Sequence, residues 1–329
     1  MDFQKISNSM QQEELDTLLI FKPENVTYLS GFRPSSLSMV VVNDDVTLYA
    51  SKMELEDAEI HSKIAVKEFE SFEEIKKNLK GKVGIEKSLP LYVYKKLCKN
   101  LKISLTEIVE YHRMIKNTTE IKNIKKSIEI AEKSLSEIDL TKTEFEVAAE
   151  LEYNMKFNGS LRPAFETIVA SGKRSSIPHA TISSNTLETP VVIDWGAVHN
   201  NYCSDITRTM VKSEKEMEIF NIVLEAQQKA IKVIKPGIKA SYVDKVARKV
   251  IEEYGYGDNF THSTGHGLGL EVHENPTLSV KSDFKLKKGM VVTVEPGIYI
   301  KDQFGIRIED DILIKNRAKV LTCMKKLID

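Results

Sequence analysis

The sequence predicts an α+β protein, with an antiparallel sheet faced by helices in its last two thirds and a smaller α/β region before it. Three observations predict this. The first hundred or so residues alternate short apolar runs with amphipathic stretches, as α/β domains do. The texture changes near Tyr111–Thr118, where a long charged helix begins. From there the order helix, helix, strands occurs twice, in about 120–212 and 213–315, which implies an internal structural duplication without repeated words.

In the first region, Asp16–Phe21 and Met39–Val42 are apolar runs bounded by turn residues and read as buried strands. Glu54–His61 and Ser71–Leu79 read as surface helices, and Lys82–Ile85 as another strand. The boundary falls close to residue 114, giving expected domains of 1–114 and 115–329. Beyond it, Ile121, Ile124, Ile128 and Ala131 share one face of a helix from about Thr119 to Ile138. Thr143 with Glu146 forms a capping box for a second helix to about Phe157. Strands are expected at Thr167–Ala170, Val191–Trp195 and Asp205–Val211. Ser213 with Glu216 caps a third helix to about Ile234, stopped by Pro236–Gly237, and Ser241 with Asp244 opens a fourth that ends at Gly255. Two long strands follow, Val291–Tyr299 and Gly305–Ile314.

Composition narrows the function. The 329 residues suit two domains at roughly 150 residues each. They are 41% hydrophobic and 29% charged, an ordinary globular balance, with a formal charge of -1. That balance offers no basic surface excess for nucleic acid or anionic membrane. Cys98, Cys203 and Cys323 form no CxxC pair, which fits reduced thiols in a cytosol. The N-terminus lacks a basic-then-apolar signal pattern, and no run approaches a membrane helix. A cytoplasmic protein is expected.

The chemistry concentrates in two hairpins. Val191–Asp205 reads as two strands joined by a tight turn at His199–Asn201. A turn centred between 199 and 200 would set Asp194 directly opposite Asp205. Facing carboxylates on cross-strand neighbours, about 4.5–5.5 Å apart at Cβ, repel unless one protonates or a cation lies between them. Both also interrupt apolar strand sequence, where an uncompensated charge is costly. In the same way, a turn centred on Asp302 puts Glu295 opposite Glu309. Either pair alone suits a solvated edge or a Lys or Arg partner. Two pairs, one in each half, point to cations. His266, between glycines in Thr264–Leu270, adds an imidazole. Four carboxylates and one imidazole suit Mn²⁺, Co²⁺, Fe²⁺ or Zn²⁺ in a two-ion site better than a lone structural zinc. The chain has no complete dinucleotide loop, phosphate loop, serine-hydrolase elbow or HExxH motif.

The stretches SGKRSSIPHA (171–180), Asp194–Gly196, SDITRT (204–209), GHGLGLEVHE (265–274), VEPG (294–297) and GIRIED (305–310) resemble the M24-type metallopeptidases. That family contains Xaa-Pro dipeptidase (prolidase), aminopeptidase P and methionine aminopeptidase. NVTYLSGF (25–32) resembles the N-terminal domain of the prolidase and aminopeptidase P branch. The resemblance implies a pita-bread catalytic domain holding two divalent ions per subunit, Mn²⁺ or Co²⁺ first, through Asp194, Asp205, His266, Glu295 and Glu309. Asp205 and Glu309 would bridge the ions. It also implies substrate-side roles for His179 and His273, a supporting role beside the ligands for Arg307, and a homodimer; Glu295, from its ligand position, is the candidate for shuttling the water proton to the leaving nitrogen. The implied reaction is hydrolysis of the bond preceding proline in small peptides with proline at the second position, dipeptides ahead of longer ones. Thr277 stands where prolidase-like members often carry a basic residue, which bears on that length preference. Two other functions fit the fold: hydrolysis of a non-peptide C–N bond, and a catalytically silent peptide-binding module. Relatives of both kinds lack part of the ligand set that is complete here.

Overall fold

The computed structural model describes residues 3–136 and 138–328; Met1, Asp2, Glu137 and Asp329, which fall within the expected domain spans, lie outside the described residues. The chain forms two compact units, Met1–Arg113 and Met114–Asp329.

The first unit contains α1 (Phe3–Gln12), β1 (Thr17–Ile20), α2 (Pro23–Ser30), β2 (Ser38–Val42), β3 (Val46–Ala50), α3 (Leu55–His61), β4 (Ala65–Glu68), α4 (Phe72–Asn78), β5 (Lys82–Glu86), the single turn α5 (Leu91–Val93), β6 (Lys102–Thr106) and α6 (Ile108–Met114). The strands form one mixed sheet in the order β4-β3-β2-β1-β5-β6. Side chains alternate across a strand, and the core divides accordingly. Leu18, Ile20, Val40, Val42 and Leu48 pack into one cluster, whereas Leu19, Met39, Val41 and Tyr49 pack into another on the opposite face. Helices α1 and α2 and strands β3, β4 and β6 were not expected from the sequence. In α2, Pro23 at the first turn and Gly31 in left-handed conformation at the end mark the helix.

The second unit runs α7 (Thr118–Leu135), α8 (Glu144–Phe157), β7 (Ile168–Ser171), β8 (Val191–Trp195), β9 (Val198–His199), β10 (Tyr202–Cys203) and β11 (Ile206–Met210). It continues with α9 (Glu214–Val233), α10 (Ala240–Glu253), β12 (Gly265–Gly267), β13 (Glu274–Leu278), β14 (Val291–Val294), β15 (Gly297–Ile300), β16 (Phe304–Arg307), β17 (Asp310–Ile314), β18 (Ala318–Val320) and β19 (Leu327–Ile328). The expected order of helix, helix and strands therefore occurs in both halves. Thr143 and Ser213 make the expected capping boxes with Glu146 and Glu216. Ser241 does not cap α10: its N-cap is Lys239, without a side-chain bond, and Asp244 turns inward to accept from Thr264 N and Oγ1.

Each helix pair covers one sheet. Ile124, Ile128, Val147 and Leu151 of α7 and α8 pack with Val191, Ile193 and Trp195. Ile219, Val223, Val243 and Ile251 of α9 and α10 pack with Val292, Val294, Ile312 and Ile314. The period of two then turns Asp194 away from α7 and α8, and Thr293 and Asp311 away from α9 and α10. The two expected long strands each break. Glu295 N donates to Thr264 O rather than across the hairpin, Pro296 has no N–H to give, and Glu309 N donates to Thr207 O. These changes of partner occur at the two glutamates. Among the described residues, no helix is long and apolar enough to cross a membrane.

Candidate metal centre

The first hairpin corrects the expected register. Asn200 and Asn201 have φ of 48° and 68°, and Tyr202 pairs with His199. A two-residue turn of this kind needs positive φ at both central positions, which Asn-Asn tolerates better than His199-Asn200. The turn therefore sits one residue later than expected, and Asp194 faces Thr207 rather than Asp205. Asp205 lies two residues back along the same strand direction, a diagonal neighbour. Close to it, Gly196 is obligatory, because a Cβ there would stand 2.0 Å from Ser204 O.

The second hairpin has the expected register. Gly297 pairs with Arg307 and Val294 with Asp310, so both ladders share a frame in which Glu295 lies across from Glu309. Asp302, the centre of the turn, has φ of 60°. His266 is carried by β12, whose Gly265 and Gly267 allow close approach: a Cβ on Gly265 would lie 2.1 Å from Thr293 O. The ring is oriented by the backbone of the next residue, with Nδ1 3.0 Å from Gly267 O, so Nε2 faces the acids.

Asp205, His266 and Glu309 each offer a ligand atom, all within 4.8 Å of one another. His266 Nε2 lies 3.5 Å from Asp205 Oδ2 and 3.2 Å from Glu295 Oε1. Thr293 Oγ1 fixes this corner by donating to Glu295 Oε1 at 3.1 Å while accepting from His266 N at 3.1 Å. Asp194 stands outside the tight group and is held through Arg307, whose Nη2 donates to Asp194 Oδ2 at 2.7 Å. Arg307 Nε reaches Thr207 Oγ1 at 3.1 Å, and Thr207 Oγ1 donates to Glu309 Oε2 at 2.7 Å. One guanidinium thus connects carboxylates from both hairpins.

The charges are far from independent. Burial, and then the neighbouring acids, push the carboxyls of Asp205 and Glu309 well above the usual range; burial also raises Asp194, with Arg307 opposing. Glu295 is different. Burial works to raise it, but the hydrogen bond and charge of His266, with His262 and Arg307, hold it at about 2. Burial lowers His273, helped by the proximity of His266, so its imidazole is kept neutral.

These residues fit divalent cations. Asp194 Oδ1, Glu309 Oε1 and Asp311 Oδ1 are buried oxygens without a hydrogen-bond donor among the described residues, which a cation would satisfy. The donor set of carboxylates and imidazole is the kind that divalent transition metals take.

The substrate-side histidines differ in setting. The His273 ring meets that of His266 edge-on at 4.3 Å. His179 is exposed on the loop after β7, beside Pro178, whose carbonyl accepts from Arg307 Nη1 at 3.1 Å. Sequence reasoning missed Thr207, Tyr299 and His262. Tyr299 Oη accepts from Arg307 Nη1 at 2.7 Å and lies 2.9 Å from His262 Nε2. Thr207 was detectable as the strand neighbour of Asp205 at the spacing that shares a face.

Known proteins resemble this chain in sequence and in fold. Residues 122–316 match the model of Metallopeptidase family M24, and residues 3–115 match the Creatinase/Prolidase N-terminal domain. An Xaa-Pro dipeptidase of Pyrococcus horikoshii is 46% identical over 335 residues, covering 97% of this chain and 95% of that protein. The solved prolidase of Pyrococcus furiosus superposes with a TM-score of 0.90 at 45% identity, covering 97% of this chain and 99% of the other. An X-Pro aminopeptidase structure from Thermotoga maritima gives 0.89 at 36% identity, covering 99% and 98%. The second unit has the pita-bread fold, and the chain belongs to metallopeptidase family M24, whose members use divalent metal ions.

Proposed function

We propose that the protein is an Xaa-Pro dipeptidase that hydrolyses the peptide bond preceding a C-terminal proline. The observation that carries this reading is the convergence of Asp205, His266 and Glu309 within 4.8 Å, with Glu295 3.2 Å from His266, in a chain 46% identical to an Xaa-Pro dipeptidase. Asp194, Asp205, His266, Glu295 and Glu309 would hold two ions per subunit, Mn²⁺ or Co²⁺ before Zn²⁺ or Fe²⁺. Bound there, the ions supply Lewis-acid activation of the scissile carbonyl and of the attacking water.

The chain's own residues do the rest. Glu295, beside His266 at 3.2 Å, is the group we assign to carry the water proton to the leaving nitrogen. That transfer matters because the proline nitrogen leaves as a secondary amine. His273, kept neutral by burial, can donate from one ring nitrogen to the oxyanion that develops on the carbonyl. His179 approaches from the 171–183 loop on the substrate side. Arg307 orients Asp194 and, through Thr207, Glu309.

We assign residues 1–114 to a creatinase/prolidase-like domain and 115–329 to the catalytic domain, in a cytoplasmic homodimer. Assay of Ala-Pro after metal stripping and Mn²⁺ or Co²⁺ addition tests the activity, and lack of turnover with either ion would refute it. A second reading, aminopeptidase action on longer peptides, is favoured by the likeness to the Thermotoga maritima X-Pro aminopeptidase and by Thr277. Faster cleavage of Ala-Pro-Ala than of Ala-Pro would select it.

A further inference from the structure

The loop that carries His179 is closed by one carboxylate the reaction does not use. Glu144, the first residue of α8, has a fully buried side chain. Its Oε1 accepts from Ser171 N at 2.9 Å and Ser171 Oγ at 3.0 Å, at the end of β7. Its Oε2 accepts from Ser183 N at 2.9 Å, Ser183 Oγ at 2.7 Å and Arg174 Nε at 3.2 Å. Both ends of the 171–183 segment, and Arg174 inside it, therefore converge on two oxygens. The backbone of α8 adds to the closure, since Phe145 N donates to Ser183 O at 3.1 Å and Glu144 N to Asn185 O at 3.0 Å.

Helix capping does not require this carboxylate. Thr143 and Glu146 already form the capping box of α8, so Glu144 is available to hold the loop. Five donors on a buried carboxylate make it a fixed anchor, because charge-assisted bonds are the stronger kind and a lost acceptor would strand buried donors. The other side of the loop is pinned to β16: Gly305 N donates to Ser175 Oγ at 2.8 Å, and Arg307 Nη1 to Pro178 O at 3.1 Å. His179 follows Pro178 directly. Its backbone is thus braced from α8 on one side and from the strand leading to Glu309 on the other.

We propose that Glu144 is a positioning residue for the hydrolysis, acting through His179 by fixing the 171–183 loop. The proposal rests on the reading of His179 as a substrate-side residue. A small displacement of such a group costs rate steeply, on the order of 100-fold per ångström in well-oriented sites. A residue that served only the fold would lower the amount of folded enzyme and leave kcat per folded site unchanged.

The test is a double-mutant cycle in the Mn²⁺-loaded full-length protein with Ala-Pro as substrate. Glu144→Gln keeps the shape and removes one acceptor oxygen and the charge. It is expected to lower kcat about 10- to 100-fold with KM changed less than about 3-fold, and to change kcat less than about 2-fold in a His179→Ala background. Amide hydrogen exchange supplies a readout apart from turnover: peptides covering 171–183 should exchange faster in Glu144→Gln while those of β8 and β14 stay protected. Should Glu144→Gln fail to fold, Ser183→Ala removes one donor, keeps the backbone N–H, and carries the same cycle with an expected loss of about 2- to 5-fold. Equal factors in the two backgrounds would overturn the proposal while leaving His179 in its role. Wild-type activity in His179→Ala alone would overturn the His179 reading and the proposal with it.

Discussion

Arg307 Nη2 stands 2.7 Å from Asp194 Oδ2, an ion pair almost wholly removed from solvent that joins the two hairpins of the catalytic unit. The same guanidinium donates to Tyr299, Thr207 and Pro178 O, so all three nitrogens of its planar fork are engaged. Lysine offers a point charge without that fork. Arg307→Lys should therefore fold yet bind Mn²⁺ and turn over Ala-Pro about 10- to 100-fold less well. Titration of the stripped protein with Mn²⁺ checks this, and wild-type affinity in the variant would contradict it.

Gly196 lies between the two aspartates of the first hairpin. A Cβ there would meet Ser204 O at 2.0 Å, and a backbone oxygen in a paired segment cannot swing aside as a side chain can. Gly196→Ala should cost about 1–3 kcal/mol of stability and weaken metal binding as well, because the strain falls between Asp194 and Asp205. Thermal unfolding with and without Mn²⁺ measures both, and an unchanged melting temperature would count against the close approach.

Lys116 Nζ and Glu274 Oε2 form a second buried pair at 3.0 Å, with side chains 1% and 5% exposed. Glu274 also accepts from Glu271 N and adjoins His273. Lys116→Met preserves length and removes the charge, leaving a buried carboxylate short of its cation. The expected loss is about 3–5 kcal/mol, with part of it recovered in Lys116→Met/Glu274→Met. Chemical denaturation of the three proteins decides the matter; a single variant as stable as wild type would show the pair to be dispensable.

Much of the catalytic unit could be read from residues, and the failures have definite causes. The capping boxes at Thr143 and Ser213 and the turn centred on Asp302 were legible because local chemistry alone specifies them. The first hairpin was misread by one residue at its turn, since His-Asn and Asn-Asn both look like turn sequence and only the φ demands of a two-residue loop separate them. The Ser241–Asp244 spacing looks like a cap, whereas Asp244 is engaged by Thr264, twenty residues away in sequence. Contacts of that range, like Arg307 to Asp194 or Glu144 to Ser183, leave no periodic trace. The four acids assigned to the metals are nameable because acids inside apolar strands are costly, and His266 because glycines flank it; Thr207, which bonds Glu309, and Tyr299, which bonds Arg307, carry no such flag.

Cys98 is buried in the first unit, and burial pushes its thiol from 9.0 up to about 11. The folded state thus keeps the proton where the unfolded chain has lost it. The corresponding stability is fully present below about pH 9 and is lost as pH rises toward about 11. Cys98→Ala should flatten this alkaline decline, and a thiol reagent at pH 8 should label Cys98 only on unfolding. Rapid labelling of the native protein at that pH would contradict its burial.

Acids from two hairpins and His266 together would hold the divalent ions. Counting Mn²⁺ bound per chain, after chelator stripping and reloading, tests it most directly in wild type, Asp205→Asn and Glu309→Gln. Two ions in wild type, with loss of binding and of Ala-Pro cleavage in both variants, is the predicted result. A wild-type chain that retains no Mn²⁺, or an Asp205→Asn variant that binds two ions and cleaves normally, would contradict it.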